Sequence, residues 1–226
     1  MSGAANSDLL KSKIRLVDPR LQEQLSLFWG HPRFTDVFEQ HLYRLYHAVH
    51  ASVPMMQCAL ERSRQLASEC RVAAELVPYF SEHIEEEKQH DVWLLEDMEV
   101  LGLPNDPTAE QIPPTVVATL IGTQYYYINH CHPITMIGYL AVVEGNPPRA
   151  EMLDQIVATT SIPKDGLRSF YKHAEMDIHH SEEVWRLLDD LPLSMWHNTL
   201  LGINAMLVTD QLANMLEDVF ASVNND

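Results

Sequence analysis

Apolar residues return every three or four positions along almost the whole chain, and the strict alternation that marks a half-buried strand does not occur. The pattern predicts an all-α protein of about seven to eight helices. Residues 1–18 read as a flexible N-terminal arm with a few basic side chains, and residues 19–226 as a single helical domain. A first long helix runs over Thr35–Ser52, with Phe38, Leu42, Leu45 and Tyr46 on its apolar face. Pro54 suits the first turn of a second helix, which ends near Leu66. A third spans about Ala67–Leu101, where Pro78 is expected to kink or split it and Gly102 to cap it. Asn105-Asp106-Pro107 is a turn, and Pro113-Pro114 opens a helix reaching Asn129. Pro133 begins a short helix that carries Glu144 and is broken by Gly145-Asn146-Pro147-Pro148. A helix follows over Arg149–Thr159, then one from Ile162-Pro163 to Asp190, and a last one over Ser194–Ser222. The last helix holds no Lys or Arg, and Leu200, Leu201, Ile203, Met206, Leu207, Leu212, Met215, Leu216 and Phe220 surround it. Such a helix is normally buried between others, with a homodimer interface as the alternative use.

At 226 residues the chain can bury a sizeable core, and no apolar run approaches the ~20 residues of a membrane span. The formal charge of −17 argues against nucleic acid, which needs a basic patch. Cys58, Cys70 and Cys131 are oddly numbered and widely spaced. With no basic and apolar leader at the N-terminus, they point to a reducing, cytoplasmic location rather than a disulfide framework.

The acidic residues are not spread evenly. On a helix His173, Asp177 and His180 stand at i, i+4 and i+7 and share one face, because each residue turns ~100°. Two imidazoles and a carboxylate on one face suit iron, manganese or zinc; the plainer reading is a solvated polar face beside Glu182-Glu183. His83, Glu86, Glu87 and His90 share a second face, with Glu85 and Lys88 on the wet side. Glu87-x-x-His90 is the i, i+3 pair that gives one carboxylate and one imidazole to a metal in di-iron carboxylate bundles. Glu144 closes the run Ile137-Gly138-Tyr139-Leu140-Ala141-Val142-Val143, so it is expected to be nearly buried. An unpaired buried carboxylate costs several kcal/mol, which a metal, an Arg partner or exposure at the helix end would remove. Tyr125-Tyr126-Tyr127 lie beside this helix, and one of them could reach the pocket; mostly they should be core with a polar tip. His130 and His132 read as a helix junction. Cys131 has no evident base partner in the sequence, and no P-loop, dinucleotide fingerprint or nucleophile elbow is present.

These stretches resemble the haem-oxygenase-like di-iron oxidases and oxygenases, the superfamily of TenA-, PqqC- and CADD-like proteins. The likeness rests on His83-Ile84-Glu85-Glu86-Glu87-Lys88-Gln89-His90-Asp91-Val92-Trp93, on Pro133 to Pro148 with Gly138-Tyr139 and Glu144-Gly145-Asn146-Pro147-Pro148, and on His173-x3-Asp177-x2-His180. It covers about residues 35–220. The resemblance implies two iron ions, Fe(II) or Fe(III), held by Glu87, His90, Glu144, His173, Asp177 and His180, with Glu86 or His83 as possible replacements. Some relatives have a glutamate where this chain has His83. Others take one from an earlier helix, whereas residues 41–60 here hold His47 and His50 and no acid. The implied activity is oxidation of a small amino-acid-like or fatty-acid-like metabolite by dioxygen in specialised metabolism: N-oxygenation, desaturation or oxidative C–C cleavage. An external electron donor is a possible partner. The alternatives are a metal-free TenA- or PqqC-like enzyme acting on a small heterocycle, and a non-catalytic helical binding protein.

Overall fold

The computed structural model describes residues 4–104 and 112–224; the expected turn at residues 105–107 lies outside them. Its elements are α1 (Asn6–Trp29), α2 (Phe34–Leu66), α3 (Arg71–Glu86), α4 (His90–Val100), α5 (Thr115–His130), α6 (Ile134–Val143), α7 (Ala150–Thr159), a 3-10 turn (Lys164–Leu167), α8 (Arg168–Asp190) and α9 (Met195–Asn224). No strand occurs among the described residues, so the protein is all-α. No described helix is long and apolar enough to cross a membrane.

Two apolar cores lie along the molecule. The first gathers Met55, Met56, Leu76, Phe80, Ile137, Leu140, Leu201 and Val208, and the second Phe28, Phe38, Leu42, Leu94, Leu153, Leu216 and Val219. The long helices α2 and α9 run through both. Most of the apolar surround of α9 is covered from within the chain, since α1, α2, α5 and α6 all pack on it; Ile203 stays exposed. Gly138 permits the close approach of α6: a Cβ there would stand 3.0 Å from Asn204 Oδ1 and 3.1 Å from the Leu201 carbonyl oxygen.

Three expectations about elements are corrected. First, Pro54 and Pro78 lie inside helices, so α2 is one helix where two were expected and α3 is not split at Pro78. A mid-helix proline costs about 3 kcal/mol. Each fully buried Met, Leu or Phe returns about 1.5–3 kcal/mol, and Met55, Met56, Leu76 and Phe80 flank the two prolines. Packing overrides propensity at both places. Second, the expected third helix is broken at residues 87–89 instead. Gln89 is left-handed, with φ 72° and ψ 7°, and α4 starts at His90. Third, the expected arm over residues 1–18 is helical from Asn6. Leu10 and Leu21 are buried. The Asn6 amide donates to the carbonyls of Leu188 and Leu191 at 2.8 and 3.0 Å, and the Ser7 backbone N–H donates to Asp189 at 2.8 Å. Farther along, Arg20 donates to Asp210, Asn214 and Glu217 of α9.

Candidate metal centre

Four helices bring their chemistry to the seam between the two cores. The C-terminal end of α3 supplies His83, Glu86 and, at the cap, Glu87; α4 supplies His90 as its first residue; Glu144 caps α6; and α8 supplies His173, Asp177 and His180. His83, His90, Glu144, Asp177 and His180 are buried, Glu87 and His173 half-buried, and Glu86 exposed. Glu144 is therefore the nearly buried acid that its apolar run foretells.

Ligand atoms of His83, Glu87, Glu144 and His180 all lie within 4.8 Å of one another. His83 Nε2 is 2.9 Å from Glu144 Oε1, and the His83 and His180 rings are 5.0 Å apart. His83 thus enters the cluster as a full member. Exposed Glu86 stands at its edge, 3.5 Å from His83 Nδ1 and 3.8 Å from His180 Nε2. Glu87 faces two ways. Its Oε1 is 3.5 Å from His180 Nδ1, and its Oε2 is 3.1 Å from His90 Nδ1. The His90 ring packs edge-on to His173 at 4.9 Å. The break at residues 87–89 makes this divergence possible: on an unbroken helix Glu87 and His90 would share one stripe.

Electrostatics mark the cluster as over-charged. Burial pushes the Asp177 carboxyl up to about 8, helped by the negative charges of Glu144 and Glu87 and opposed by His83. Burial also raises Glu144, against its hydrogen bond and ion pair with His83. For Glu87, burial acts upward, but His90, His83 and His173 win and hold it below its ordinary value. For His83, burial acts downward, but Glu144, Glu87 and Glu86 win and raise it. Several groups remain unsatisfied. His83 Nδ1, both ring nitrogens of His90, His180 Nδ1 and Glu144 Oε2 are buried with no hydrogen-bond partner; the His90–Glu87 approach is close enough for an ion pair but misaligned for a hydrogen bond. Each such orphan costs about 1–3 kcal/mol. Cations among them would take up imidazole lone pairs and the carboxylate oxygen, and nitrogen and carboxylate donors of this kind fit iron.

Neighbouring side chains orient these groups. His173 Nδ1–H donates to the Ser169 carbonyl at 2.8 Å, which leaves Nε2 with its lone pair. Ser169 is held in turn by Asp97, which accepts from its hydroxyl and, at 2.9 Å, from its backbone N–H. Trp93 stacks on His90 at 4.2 Å, and Lys172 Nζ lies 3.5 Å over the Trp93 ring. Tyr79 stacks on His83 at 5.3 Å, while burial beside Glu87 and Glu144 pushes the Tyr139 phenol up. Sequence reasoning gave none of these an orienting role, though Trp93 and Tyr139 lie in the stretches that carry the resemblance; Trp93, Tyr79 and Ser169 stand three or four residues from a ligand candidate on the same helix, a spacing that could have found them. The Tyr125–Tyr127 run does not supply the neighbouring tyrosine: Tyr126 is exposed, and Tyr125 and Tyr127 pack on the first core. On α2, His50 pairs with Asp91 at 2.8 Å.

The family model described as "iron-containing redox enzyme" matches residues 39–203. The chain belongs to this family. None of the curated proteins compared matches it. Among solved structures, it is similar to a domain of unknown function with a heme oxygenase-like fold from Shewanella denitrificans OS217. That match has a TM-score of 0.83 and 16% identity, and covers 99% of this chain and 95% of that one. It is also similar to a TenA homolog from Pseudomonas syringae pv. tomato DC3000, with a TM-score of 0.73 and 13% identity, covering 94% of this chain and 91% of that one. At these identities the two structures establish a haem-oxygenase-like fold.

Proposed function

We propose that this member of the iron-containing redox family is a non-haem di-iron enzyme that oxidises a small amino-acid-like or fatty-acid-like metabolite with dioxygen. The observation that carries the reading is the set of partnerless ring nitrogens and carboxylate oxygen, buried together on four helices. His83, Glu87, Glu144 and His180 would hold one ion. His90 and His173, whose rings are 4.9 Å apart, would serve the other, and Glu87 and Asp177 would add carboxylates beside them. When bound, the iron pair supplies the activation of dioxygen.

The remaining work falls to the chain. Two ferrous ions bring four positive charges and Glu87, Glu144 and Asp177 return three, so an anionic substrate group or one further carboxylate, such as Glu86, balances the site. Asp177 is largely protonated at neutral pH without a cation, and it gives up that proton on binding one. Trp93 and Ser169 hold His90 and His173 in position, so that the ligands are set before the metal arrives. Ile84, Leu140, Val142 and Val184 belong to the first core and stand within four residues of His83, Glu144 or His180 along the chain, and they would keep water out.

The cysteines sit elsewhere. Cys58 contacts Asn129 and Cys70 contacts His132, so neither stands among the acids as a metal-free TenA-like nucleophile would. The test is iron uptake after anaerobic ferrous loading, followed by oxygen consumption. About two ions per chain are expected, and Glu87→Ala is expected to weaken both sites. A folded protein that takes up no iron, or whose uptake survives Glu87→Ala combined with Glu144→Ala, would sink the proposal and favour metal-free chemistry.

A further inference from the structure

A second set of metal-ligating side chains lies at the other end of the same helices. Cys70 immediately precedes α3, His132 sits in the junction between α5 and α6, and His197 is in the first turn of α9. The helices α3 and α6 both begin here and end at the candidate iron centre. The thirteen residues from Cys70 to His83 rise about 20 Å, so the two clusters cannot share an ion.

Cys70 Sγ is 3.4 Å from His132 Nε2. The His132 and His197 rings are 4.9 Å apart at 66°, and one ligand atom from each of the three residues lies within 4.8 Å of the others. We propose that Cys70, His132 and His197 bind one borderline-soft divalent cation, of which zinc is the type, and that this ion fastens together the starts of α3, α6 and α9.

The donor chemistry favours that class of ion. One thiolate and two imidazoles, with no carboxylate, suit zinc over magnesium, calcium or manganese. The spacing agrees. A tetrahedral ion with Zn–S of about 2.3 Å and Zn–N of about 2.0 Å sets sulfur and nitrogen about 3.5 Å apart. His132 is buried, whereas Cys70 and His197 are half-buried, so an ion can enter and a fourth position faces water. Burial lowers both imidazoles, His132 to about 4, which keeps them in the neutral form a metal requires.

The outer contacts of the two imidazoles are alike. His197 Nδ1 accepts the Ser194 backbone N–H at 3.2 Å, with the Ser194 hydroxyl 3.0 Å away, and His132 Nδ1 accepts the Ile134 backbone N–H at 3.1 Å. Each ring hydrogen therefore sits on Nε2. Ligation at Nε2 moves it to Nδ1, where Ser194 Oγ can accept the one from His197, but both backbone N–H bonds are forfeited. Two lost hydrogen bonds weaken binding by about 10²- to 10⁴-fold. Structural zinc sites have association constants on the order of 10⁷ M⁻¹ or more, so the ion prevails over the lost bonds.

Cobalt(II) is a suitable probe, because a thiolate ligand gives it a sulfur-to-metal charge-transfer absorption that the sulfur-free candidate iron centre cannot give. Full-length protein stripped of metal and titrated with cobalt is expected to develop that band to one equivalent per chain. Zinc should displace it and raise the thermal midpoint. Cys70→Ser and His197→Gln should each lose the band while circular dichroism and iron uptake stay unchanged; Cys131→Ser should keep it. No thiolate band at excess cobalt, or a band that survives Cys70→Ser, would overturn the proposal. Neither result touches the iron reading, which is scored separately by iron uptake.

Discussion

The two ligand-bearing segments of the candidate centre solve the same geometric problem in opposite ways. On α8, one unbroken helix projects His173, Asp177 and His180 from a single face, and their relative positions follow from helical geometry alone. On α3–α4, His83, Glu87 and His90 are carried across a break, and the left-handed residue at Gln89 sets their relation. The continuous segment can present only a stripe. The broken one can send Glu87 toward His180 on one side and His90 on the other. The proposed two-ion centre would use both kinds: a rigid rail, and a bent element that reaches toward each ion.

The harshest way to break the comparison is on the rail. Asp177→Ala is expected to abolish oxygen-dependent turnover and to lower iron content, because it removes the one carboxylate of the α8 triad. The apo protein should lose no stability and should gain some, since burial, with Glu144 and Glu87 beside it, forces Asp177 to keep a proton that it would release in the unfolded chain. Iron analysis, oxygen uptake and thermal melts of apo wild type and mutant check this. A mutant with full iron and full activity would remove α8 from the site.

Next in size is the anchor that ties the rail to the bent segment. Asp97 on α4 is fully buried and receives both the N–H and the hydroxyl of Ser169, near the start of α8. Asp97→Ala leaves two buried donors without partners at a helix N-terminus. The expected loss is about 2–4 kcal/mol, read by denaturant melts, with a fall in iron affinity as His173 loses its hold through Ser169. Ser169→Ala removes one of the two bonds and should cost less.

A pH profile of either segment carries a background from α2. Burial, with the Arg44 charge, pushes His41 down to about 4, and its Nδ1 is enclosed without a partner. The unfolded chain takes up a proton near pH 6.5, whereas the folded chain refuses it until about 4. Stability from this group is therefore complete above 6.5 and is lost as pH falls through that window, by at most about 3 kcal/mol. Apo His41→Leu should show a flatter decline than apo wild type between pH 6.5 and 4. Parallel curves would assign the decline to other groups.

The same contrast explains what could be read from the sequence. The α8 triad and Glu144 were legible because regular helix and a bounding apolar run translate directly into position. The haem-oxygenase-like fold was legible through the residues around them. The break at Gln89 was not, since left-handed positions are usually announced by Gly or Asn and this one carries Gln. The two internal prolines misled for the converse reason: their signal is local, and the packing that outweighs it is not. Lys11, Lys13 and Arg15 hid the stripe of Leu10, Ile14 and Leu21 that seats α1 on the bundle. Cys70, His132 and His197 meet only after folding, across 62 and 65 residues of chain, so no spacing rule connects them.

The smallest expected effect is also the sharpest test of the break. If residues 87–89 depart from the helix in solution, Gln89 pays a left-handed cost of about 1–2 kcal/mol, and Gln89→Gly removes it. The extra freedom of glycine in the unfolded chain takes back about 0.5–1 kcal/mol, so the net change should be a gain of roughly 0.5–1 kcal/mol. If α3 and α4 were instead one continuous helix, the same substitution would sit in a helix interior and cost about 1 kcal/mol. The sign of the change therefore separates the two geometries. Gln89→Val gives the opposing reading. A β-branched residue at φ 72° is strained, so it should destabilise the broken form and pull His90 away from Glu87, lowering iron affinity. In a continuous helix it would cost only a few tenths of a kcal/mol. Paired denaturant melts of the two variants in the apo protein, with iron binding as the second readout, decide between them.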